Sequence, residues 1–229
     1  MLNGKKILLI IGGGIAAFKC HDLIRGLREA GASVTPVLTE AGKEFVTPLS
    51  ISVLSGSKVY ADLFDLEDET QMGHIELSRN SDLIVIVPAT ADLLAKMASG
   101  LANDLASTLL LATDTEVLAA PAMNVRMWEH SATRRNIQLL KKDGIGFIGP
   151  VEGSMACGEF GFGRMAEPEQ IIVAIKKKLS LGKLKGKHIV VTSGPTYEQI
   201  DPVRFIGNLS SGNQGNQIAV ALLNEGARV

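Results

Sequence analysis

The sequence lacks the features of a nucleic-acid-binding or membrane-spanning protein. Aromatic residues make up 4% of its 229 residues, and 23 basic side chains are balanced by 24 acidic ones, for a formal net charge of −1. We therefore expect neither the stacking surfaces nor the basic stripes that bind nucleic acid. The longest apolar runs, such as 7–11 and 83–87, are too short to cross a bilayer as a helix, so no membrane partner is expected.

Cysteine is also scarce, since only Cys20 and Cys157 occur. The chain has no HxxxH or CxxC pair and no GxSxG elbow, so we expect no metal site and no serine-hydrolase nucleophile. Lys5 and Lys6 followed by an apolar stretch resemble a signal peptide, but glycines at 12–14 interrupt that stretch, and a buried first strand explains it better. Few cysteines and no leader predict a cytoplasmic protein without disulfides.

Short apolar runs alternate with helical patterns along the first 180 residues. We predict a helix after the first strand, with Ile15, Cys20, Leu23, Ile24 and Leu27 on its apolar stripe and Cys20 in the core. Strands alternating with helices are typical of a doubly wound α/β fold with a parallel, flavodoxin-like (Rossmann-type) sheet. The predicted strands are 6–11, 33–39, 83–87, 116–120 and 146–148, and the further helices are 93–111, 132–142 and 168–179.

The pattern restarts after residue 187. Residues 181–187 are basic and contain two glycines, which is typical of a linker. After them we predict a strand at 188–192, a loop at 210–215 and a helix at 216–224, the start of a second α/β domain. The predicted organisation is therefore a domain at 1–180, a linker at 181–187 and the N-terminal part of another domain at 188–229.

Three segments at the ends of predicted strands point to a ligand site. Glycines at 12–14 follow the first strand, where backbone N–H groups can approach an anion, although a tight turn without a ligand is the alternative. Thr39 ends the second strand. Thr90 and Asp92 follow the third, where capping of the next helix is the alternative explanation and is compatible with contact to a ligand. Ligands of such sheets bind beyond the carboxyl ends of the strands, so these segments should share one crevice.

Two later segments contain the residues best suited to chemistry. Asn124 follows the fourth strand beside the only tryptophan, and helix capping is as plausible for it as substrate binding. Cys157 lies among the glycines of 153–163, a composition that predicts a mobile loop over a pocket. His74 on its own is more typical of a structural hydrogen bond than of catalysis.

Together, residues 121–128, 156–158, 13–17 and 73–75 resemble the flavin-containing cysteine decarboxylases, specifically the phosphopantothenoylcysteine decarboxylases. The resemblance runs from about residue 5 to 179, with the segments in family order. Residues 192–212 resemble the start of phosphopantothenate–cysteine ligase, which many bacteria fuse to the decarboxylase. Where that family usually has Lys-Met after Ser-Ser-Gly, this chain has Asn213 and Gln214, and most of the ligase domain is absent, so we expect no ligase activity from these residues.

The resemblance implies a function in coenzyme A biosynthesis. Loss of CO2 from an unactivated carboxylate leaves an unstabilised carbanion, so an electron sink is needed. In similar enzymes FMN oxidises the substrate thiol to a thioaldehyde, which permits decarboxylation to an enethiolate, and re-reduction gives 4′-phosphopantetheine. The implied roles are proton donor for Cys157, base or orienting group for His74 and carboxylate binding for Asn124, with Met123, Ala156 and Gly158 also contacting substrate.

The resemblance also implies a cofactor site and an assembly. Relatives form homotrimers or dodecamers built from trimers, and the complete ligase would need CTP and Mg²⁺. The expected FMN-binding residues are Gly13, Gly14, Ile15, Thr39, Thr90, Ala91, Asp92, Leu93 and Ala122.

Three other functions compete with this prediction. The spacing of Gly12, Gly14 and Ala17, with Glu40 near the end of the second strand, also suits an NAD(P)-linked oxidoreductase. A flavin-bound regulatory protein without turnover and a flavin prenyltransferase share the fold class. The joint presence of His74, Asn124 and Cys157 favours the decarboxylase.

Overall fold

The computed structural model describes residues 2–63, 74–156, 158–179, 184 and 186–229, without side chains for His74, Ile75 and Asn224. The chain divides into two compact units, Met1–Leu179 and Ser180–Val229. Most of the predicted linker, 181–187, lies outside the described residues.

The first unit is built on a parallel sheet. Its strands are β1 (Lys6–Ile11), β2 (Ser33–Leu38), β3 (Leu83–Ala89), β4 (Val117–Pro121) and β5 (Gly146–Phe147). Within the described residues their spatial order is β2-β1-β3-β4-β5, and each neighbouring pair is parallel. This is the flavodoxin-like order, whose switch point lies between β1 and β3, so the predicted fold class is confirmed.

The buried strands explain the nearly continuous apolar runs. Every residue of β3 and β4 is buried, and β1 is buried from its second residue onward. Alternate residues of β1 enter different cores: Leu9 and Ile11 pack on one face of the sheet, and Leu8 and Ile10 on the other. A parallel sheet covered on both faces requires such strands.

The helices begin and end at recognisable caps, which corrects the prediction of one helix at 93–111. Gly100 ends the first helix at φ +66°, and Asp104 begins a second one, since its side chain accepts from the Ser107 N–H in a capping box. The helices of this unit are α1 (Cys20–Glu29), α2 (Glu40–Lys43), α3 (Pro48–Ser55), α4 (His74–Arg79), α5 (Ala91–Ser99), α6 (Leu105–Leu111), α7 (Val125–Glu129), α8 (Ser131–Lys142) and α9 (Pro168–Leu179).

The start of the first predicted helix also differs. Residues Ile15–Lys19 form a 3-10 helix, and α1 follows at Cys20. Cys20 is buried as predicted, and its Sγ lies 3.0 Å from the Val87 carbonyl oxygen. Ile15 is exposed instead of lying on the buried stripe, because the 3-10 helix has a different period from the α-helix.

The predicted mobile loop around residues 153–163 is wrong in its structure. Strands β6 (Val151–Ser154) and β7 (Phe160–Arg164) pair there as an antiparallel hairpin. Gly161 and Gly163 have φ values of +149° and +142°, a backbone conformation that glycine adopts more readily than residues with a side chain. These glycines therefore allow β7 to form a strand with an unusual backbone conformation.

The second unit contains β8 (Tyr197–Gln199), β9 (Phe205–Gly207) and α10 (Asn213–Asn224). The predicted strand at 188–192 is reduced to one bridge between His188 and Arg228, because a strand needs a continuous partner. Helix α10 starts at Asn213, within the predicted loop at 210–215. In the described part of the chain, no helix is long and apolar enough to cross a membrane.

Candidate functional site

A cavity of about 1120 Å³ lies at the carboxyl ends of β1 to β4 in the first unit. Each of these strands ends in a segment that lines it, and the β6–β7 hairpin supplies another part of the wall. Such a crevice is where doubly wound sheets bind ligands. Its lining residues are Gly12, Gly13, Gly14, Ile15, Ala16, Phe18, Lys19, Thr39, Glu40, Ala41, Thr90, Ala91, Asp92, Leu93, Lys96, Asp104, Ala122, Met123, Asn124, Met127, Ser154, Met155, Ala156, Gly163, Arg164 and Met165.

The glycine turn after β1 is packed closely on its inner side and open on its outer side. A Cβ added to Gly12 would lie 2.4 Å from the Pro88 carbonyl oxygen, and one added to Gly13 would lie 2.3 Å from the Ala41 Cβ. A Cβ on Gly14 would meet no atom within 4 Å. Neither the Gly13 nor the Gly14 N–H donates to another described residue, so both amides are available to a ligand.

The same turn differs from the dinucleotide-binding motif that its spacing suggests. In that motif the pyrophosphate lies at the N-terminus of an α-helix that starts directly after the glycines. Here the 3-10 helix Ile15–Lys19 intervenes. Glu40, the predicted ribose ligand of the NAD(P) alternative, instead forms an ion pair with Lys43 at 2.6 Å.

Thr39 and Thr90 both cap helices at the cavity wall. The Thr39 hydroxyl accepts from the Gly42 N–H at 3.1 Å and donates to the Ile11 carbonyl at 3.1 Å. The Thr90 hydroxyl accepts from the Leu93 N–H at 3.2 Å, and its own proton is donated to no described residue. Thr90 can therefore donate a hydrogen bond into the cavity, whereas the proton of Thr39 is already used.

A lysine flanked by two carboxylates borders the cavity beyond Thr90. Lys96 Nζ lies 2.7 Å from Asp104 Oδ2 and 3.3 Å from Asp92 Oδ2. The hydrogen bond to Asp104 raises the pKa of Lys96. Burial opposes ionisation of Asp104, but its hydrogen bonds to Lys96 and Ser107 outweigh burial and lower its pKa. The three charges carry a net −1, so this part of the wall does not attract an anion.

Asn124 lies at the start of α7. Its Oδ1 accepts from the Met127 N–H at 2.8 Å, so the residue is a helix N-cap. Its half-buried side chain also lines the cavity, and its Nδ2 has no hydrogen-bond partner among the described residues. The amide group thus holds the helix with its oxygen and keeps two N–H donors for a ligand.

A second charged cluster joins the glycine turn to the hairpin. Glu167 accepts from Lys19 Nζ at 2.9 and 2.8 Å and from an Arg164 guanidinium nitrogen at 2.7 Å. The Lys19 hydrogen bond lowers the pKa of Glu167, with a further contribution from Arg164. Lys19 and Arg164 line the cavity, and this cluster carries a net +1. It is the more favourable of the two clusters for an anionic ligand.

The structure brings most of the predicted site residues together. Gly13, Gly14, Ile15, Thr39, Thr90, Ala91, Asp92, Leu93 and Ala122, the predicted cofactor residues, all line the cavity. Met123, Asn124 and Ala156 line it as well, whereas Gly158 does not. Cys157 lies outside the described residues, and His74 is described only as the first backbone position of α4.

Four charged residues of the wall were not predicted from the sequence, namely Lys19, Lys96, Asp104 and Arg164. Lys19 and Glu167 are 148 positions apart, so no local pattern reveals their ion pair. Lys96 had a usable signal, because it follows Asp92 by four positions, the spacing of ion pairs on one helix face.

The cavity has the properties that bound FMN requires. The N–H groups of Gly13 and Gly14 can donate hydrogen bonds to a phosphate, and the Thr90 hydroxyl can donate to a polar ring edge. Leu93, Ala122 and Met165 give apolar surface for a flat ring. A volume of about 1120 Å³ exceeds the usual ~300–1000 Å³ of a small-molecule site, which leaves room for a substrate beside the cofactor.

Comparisons with known proteins agree with this geometry. A family model described as "Flavoprotein" matches residues 1–180, and one described as "DNA/pantothenate metabolism flavoprotein C-terminal domain" matches residues 184–229. The "Coenzyme A biosynthesis bifunctional protein CoaBC" of Vibrio vulnificus (strain YJ016) is 50% identical over 228 residues. Its Escherichia coli (strain K12) counterpart is 48% identical over 229 residues. The chain is covered completely, and it spans 57% and 56% of these relatives' lengths.

Solved structures resemble the chain over its first unit. A PPC decarboxylase mutant complexed with pantothenoylaminoethenethiol is 34% identical, with a TM-score of 0.68, covering 75% of this chain and 96% of that one. The FMN-dependent cysteine decarboxylase SpaF is 28% identical, with a TM-score of 0.66, covering 76% and 96%. Peptidyl-cysteine decarboxylase EpiD, at 22% identity and a TM-score of 0.64, covers 74% and 97% and supports the fold alone.

Proposed function

Because this chain belongs to the flavoprotein family, we propose that its first unit is an FMN-dependent decarboxylase of coenzyme A biosynthesis. Its substrate would be 4′-phosphopantothenoyl-L-cysteine and its product 4′-phosphopantetheine, which makes it a carboxy-lyase. The observation that carries the proposal is that one cavity is bordered by the glycine turn, Asn124 and the β6–β7 hairpin. The similarity to PPC decarboxylase supports the choice of substrate.

The cofactor would supply the redox chemistry. When bound, FMN accepts two electrons from the substrate thiol group and returns them after CO2 has left. Gly13 and Gly14 would bind the FMN phosphate through their free N–H groups, and the Thr90 hydroxyl would donate a hydrogen bond to a polar edge of the flavin ring. The remaining predicted cofactor residues would supply the walls of its site.

The chain's own residues would hold the substrate and move protons. The Nδ2 group of Asn124 is available to donate to the substrate carboxylate, and Met123 and Ala156 flank it on the cavity wall. We propose Cys157 as the donor of the final proton, His74 as the base or orienting group, and Gly158 as a further substrate contact. The hairpin would exclude water from the reacting carbon.

The electrostatics of the wall suggest where the anionic end of a ligand binds. Lys96 is compensated by Asp92 and Asp104, whereas Lys19 and Arg164 share a single carboxylate, that of Glu167. An anionic group would therefore be attracted to the Lys19–Arg164 side of the cavity.

The apolar surface supports a homo-oligomer as part of the same proposal. Ile15 and Phe18 are 61% and 55% exposed beside the cavity, and Leu49 and Val53 on α3 are 74% and 71% exposed. Helices α1 and α3 pack together. We propose that further copies of the chain cover these side chains in a trimer or in a dodecamer built from trimers, which light scattering on the purified protein would detect. A cytoplasmic location also stays a proposal.

Because a model described as "DNA/pantothenate metabolism flavoprotein C-terminal domain" matches residues 184–229, we propose that the second unit is the start of a ligase domain. We propose that a longer parent chain joins phosphopantothenate to cysteine with CTP and Mg²⁺, and that residues 188–229 alone lack this activity.

The decisive experiment incubates purified protein with FMN and 4′-phosphopantothenoyl-L-cysteine and detects the products by mass. We expect a yellow protein that releases FMN on denaturation, and a product lighter by CO2. A colourless protein that cannot be loaded with FMN, or one that leaves the substrate intact, would refute the proposal.

A Cys157→Ser variant separates the steps of the reaction. It should release CO2 but accumulate an oxidised product that lacks the two returned electrons, because the last proton donor is missing. Normal formation of 4′-phosphopantetheine by this variant would remove Cys157 from the role of proton donor.

A further inference from the structure

The turn between β6 and β7 is closed by its own backbone. The Met155 N–H donates to the Glu159 carbonyl oxygen at 2.9 Å, and the Gly158 N–H donates to the Met155 carbonyl oxygen at 2.9 Å. Residues 155–159, here called the tip turn, are therefore fixed at both ends. The proposed proton donor, Cys157, belongs to this segment of the sequence, although its own position lies outside the described residues.

Two hydrogen bonds join the hairpin to the segment that follows β4. The Met123 N–H donates to the Gly163 carbonyl oxygen at 3.0 Å, which fixes strand β7 but not the tip turn. The Val125 N–H donates to Glu159 Oε2 at 3.3 Å. Among the hydrogen bonds between described residues, this second bond alone joins the tip turn to that segment, and it alone depends on a side chain.

The Glu159 bond adds a second acceptor at the start of α7. The first N–H groups of a helix have no acceptor within the helix. Asn124 supplies the acceptor for one of them, since its Oδ1 binds the Met127 N–H at 2.8 Å. Glu159 supplies the acceptor for Val125, the residue next to Asn124. The helix start that orients Asn124 is thus tied to the tip turn.

We propose that Glu159 is a positioning residue that fastens the segment containing Cys157 to the backbone beside Asn124. Glu159 is half-buried and does not line the cavity, so it acts through these neighbours and not by contact with substrate. The inference rests on the proposed function and deepens it. The bond joins the β6–β7 hairpin to the start of α7, where Asn124 keeps its Nδ2 group for the substrate carboxylate.

The test compares Glu159→Ala and Glu159→Gln with a matched control, Glu152→Ala. Glutamine keeps an oxygen that can accept from Val125, whereas alanine removes it. Glu152 is an exposed glutamate on the same hairpin, in β6, and its side chain makes no hydrogen bond to another described residue. All three variants are made in the full chain and loaded with FMN.

Two readouts do not depend on activity. Hydrogen exchange of 151–164 and of the Val125 amide reports attachment of the hairpin, and alkylation by iodoacetamide reports access to Cys157, because Cys20 is buried. In Glu159→Ala we expect both rates to rise about tenfold, with unchanged FMN affinity. The kcat for formation of the final product should fall about 10- to 100-fold, the scale expected for a misplaced catalytic group. Glu159→Gln and Glu152→Ala should stay within about twofold of the wild type.

Several outcomes would overturn the inference. The inference fails if Glu159→Ala has the hydrogen-exchange rates, alkylation rate and kcat of the wild type. It also fails if Glu159→Gln behaves like the alanine variant. Loss of FMN by Glu159→Ala would also contradict it, since the cavity wall should remain intact. If wild-type protein releases no CO2, the proposed function fails, whereas the exchange and alkylation measurements still decide whether Glu159 fastens the hairpin.

Discussion

Asn124 has two separable tasks, and substitutions at this position should separate them. Its Oδ1 caps α7 through the Met127 N–H at 2.8 Å, and its Nδ2 is available to the substrate carboxylate. Asn124→Ala removes both groups. Asn124→Asp keeps an acceptor oxygen at the same place but replaces the two N–H donors by a negatively charged oxygen.

The capping task predicts the effect on stability. Replacing an Asn cap by Ala costs about 1 kcal/mol, whereas Asp caps as well as Asn does. For a unit of this size, about 1 kcal/mol lowers Tm by roughly 2–4 °C. We therefore expect Asn124→Ala to melt a few degrees below the wild type, and Asn124→Asp to melt close to it.

The substrate task predicts a different order for activity. A hydrogen bond to a charged group is worth about 1.5–3 kcal/mol, which corresponds to roughly 10- to 150-fold in kcat/KM. Both variants should lose at least this much, and Asn124→Asp should lose more because its carboxylate repels that of the substrate. The assay measures CO2 release against substrate concentration, with thermal melting of the same FMN-loaded samples.

The two variants give opposite rankings, and this makes the reasoning easy to refute. If Asn124→Asp were as active as the wild type, the Nδ2 group would have no role in binding the carboxylate. If Asn124→Ala melted with the wild type, the cap would contribute nothing to the stability of the unit.

Two further predictions concern the glycine turn and the Glu167 ion pair. Gly13→Ala places a Cβ 2.3 Å from the Ala41 Cβ, so it should lower the free energy of unfolding by about 1–3 kcal/mol and weaken FMN binding. Gly14→Ala places its Cβ in open space and should melt near the wild type. Equal melting temperatures of the two variants would contradict the argument. The Lys19 hydrogen bond lowers the pKa of Glu167, so its stabilisation is present above the unfolded pKa of about 4.3 and is lost as pH falls through the lowered value. Glu167→Gln should thus be less stable than the wild type to urea at pH 7, by under about 1 kcal/mol because the pair is partly exposed. The difference should shrink at low pH. If the unfolding free energies of the two proteins differed by the same amount at all pH values, the ion pair would be excluded as the cause.

The parallel sheet was the most predictable part of the fold. Strand β1 occupies the predicted residues, and α9 does too, because buried runs and a helical period are local properties of the sequence. The β6–β7 hairpin was missed because Gly161 and Gly163 adopt φ values unusual for strands, and their pairing partners lie across the tip turn. Helix α3 was missed as well.

The candidate site also has parts that the sequence predicts and parts that it does not. Its backbone parts, such as the turn at 12–14, follow from the rule that ligands bind at strand ends. The ion pairs of its wall depend on contacts between distant positions. Lys19 reaches Glu167 across 148 residues, and Lys96 reaches Asp104 across a helix break that the predicted helix 93–111 did not contain. Charge placement in the cavity therefore required the structure.

Capping and ligand binding are compatible for Thr90, as the sequence led us to expect, and the geometry of Asn124 allows both roles as well. In a doubly wound fold, the residue after a strand's carboxyl end is also the residue before the next helix. Each side chain there gives one oxygen to the helix, as Thr90 does to Leu93 and Asn124 to Met127. What distinguishes a cap that can also bind ligand is a remaining donor: Thr90 and Asn124 keep theirs, whereas Thr39 donates its proton to Ile11. A Thr39→Ser variant should therefore leave FMN affinity nearly unchanged, whereas Thr90→Ala should weaken it severalfold; equal losses in fluorescence titrations with FMN would show that a spare donor is not the relevant property.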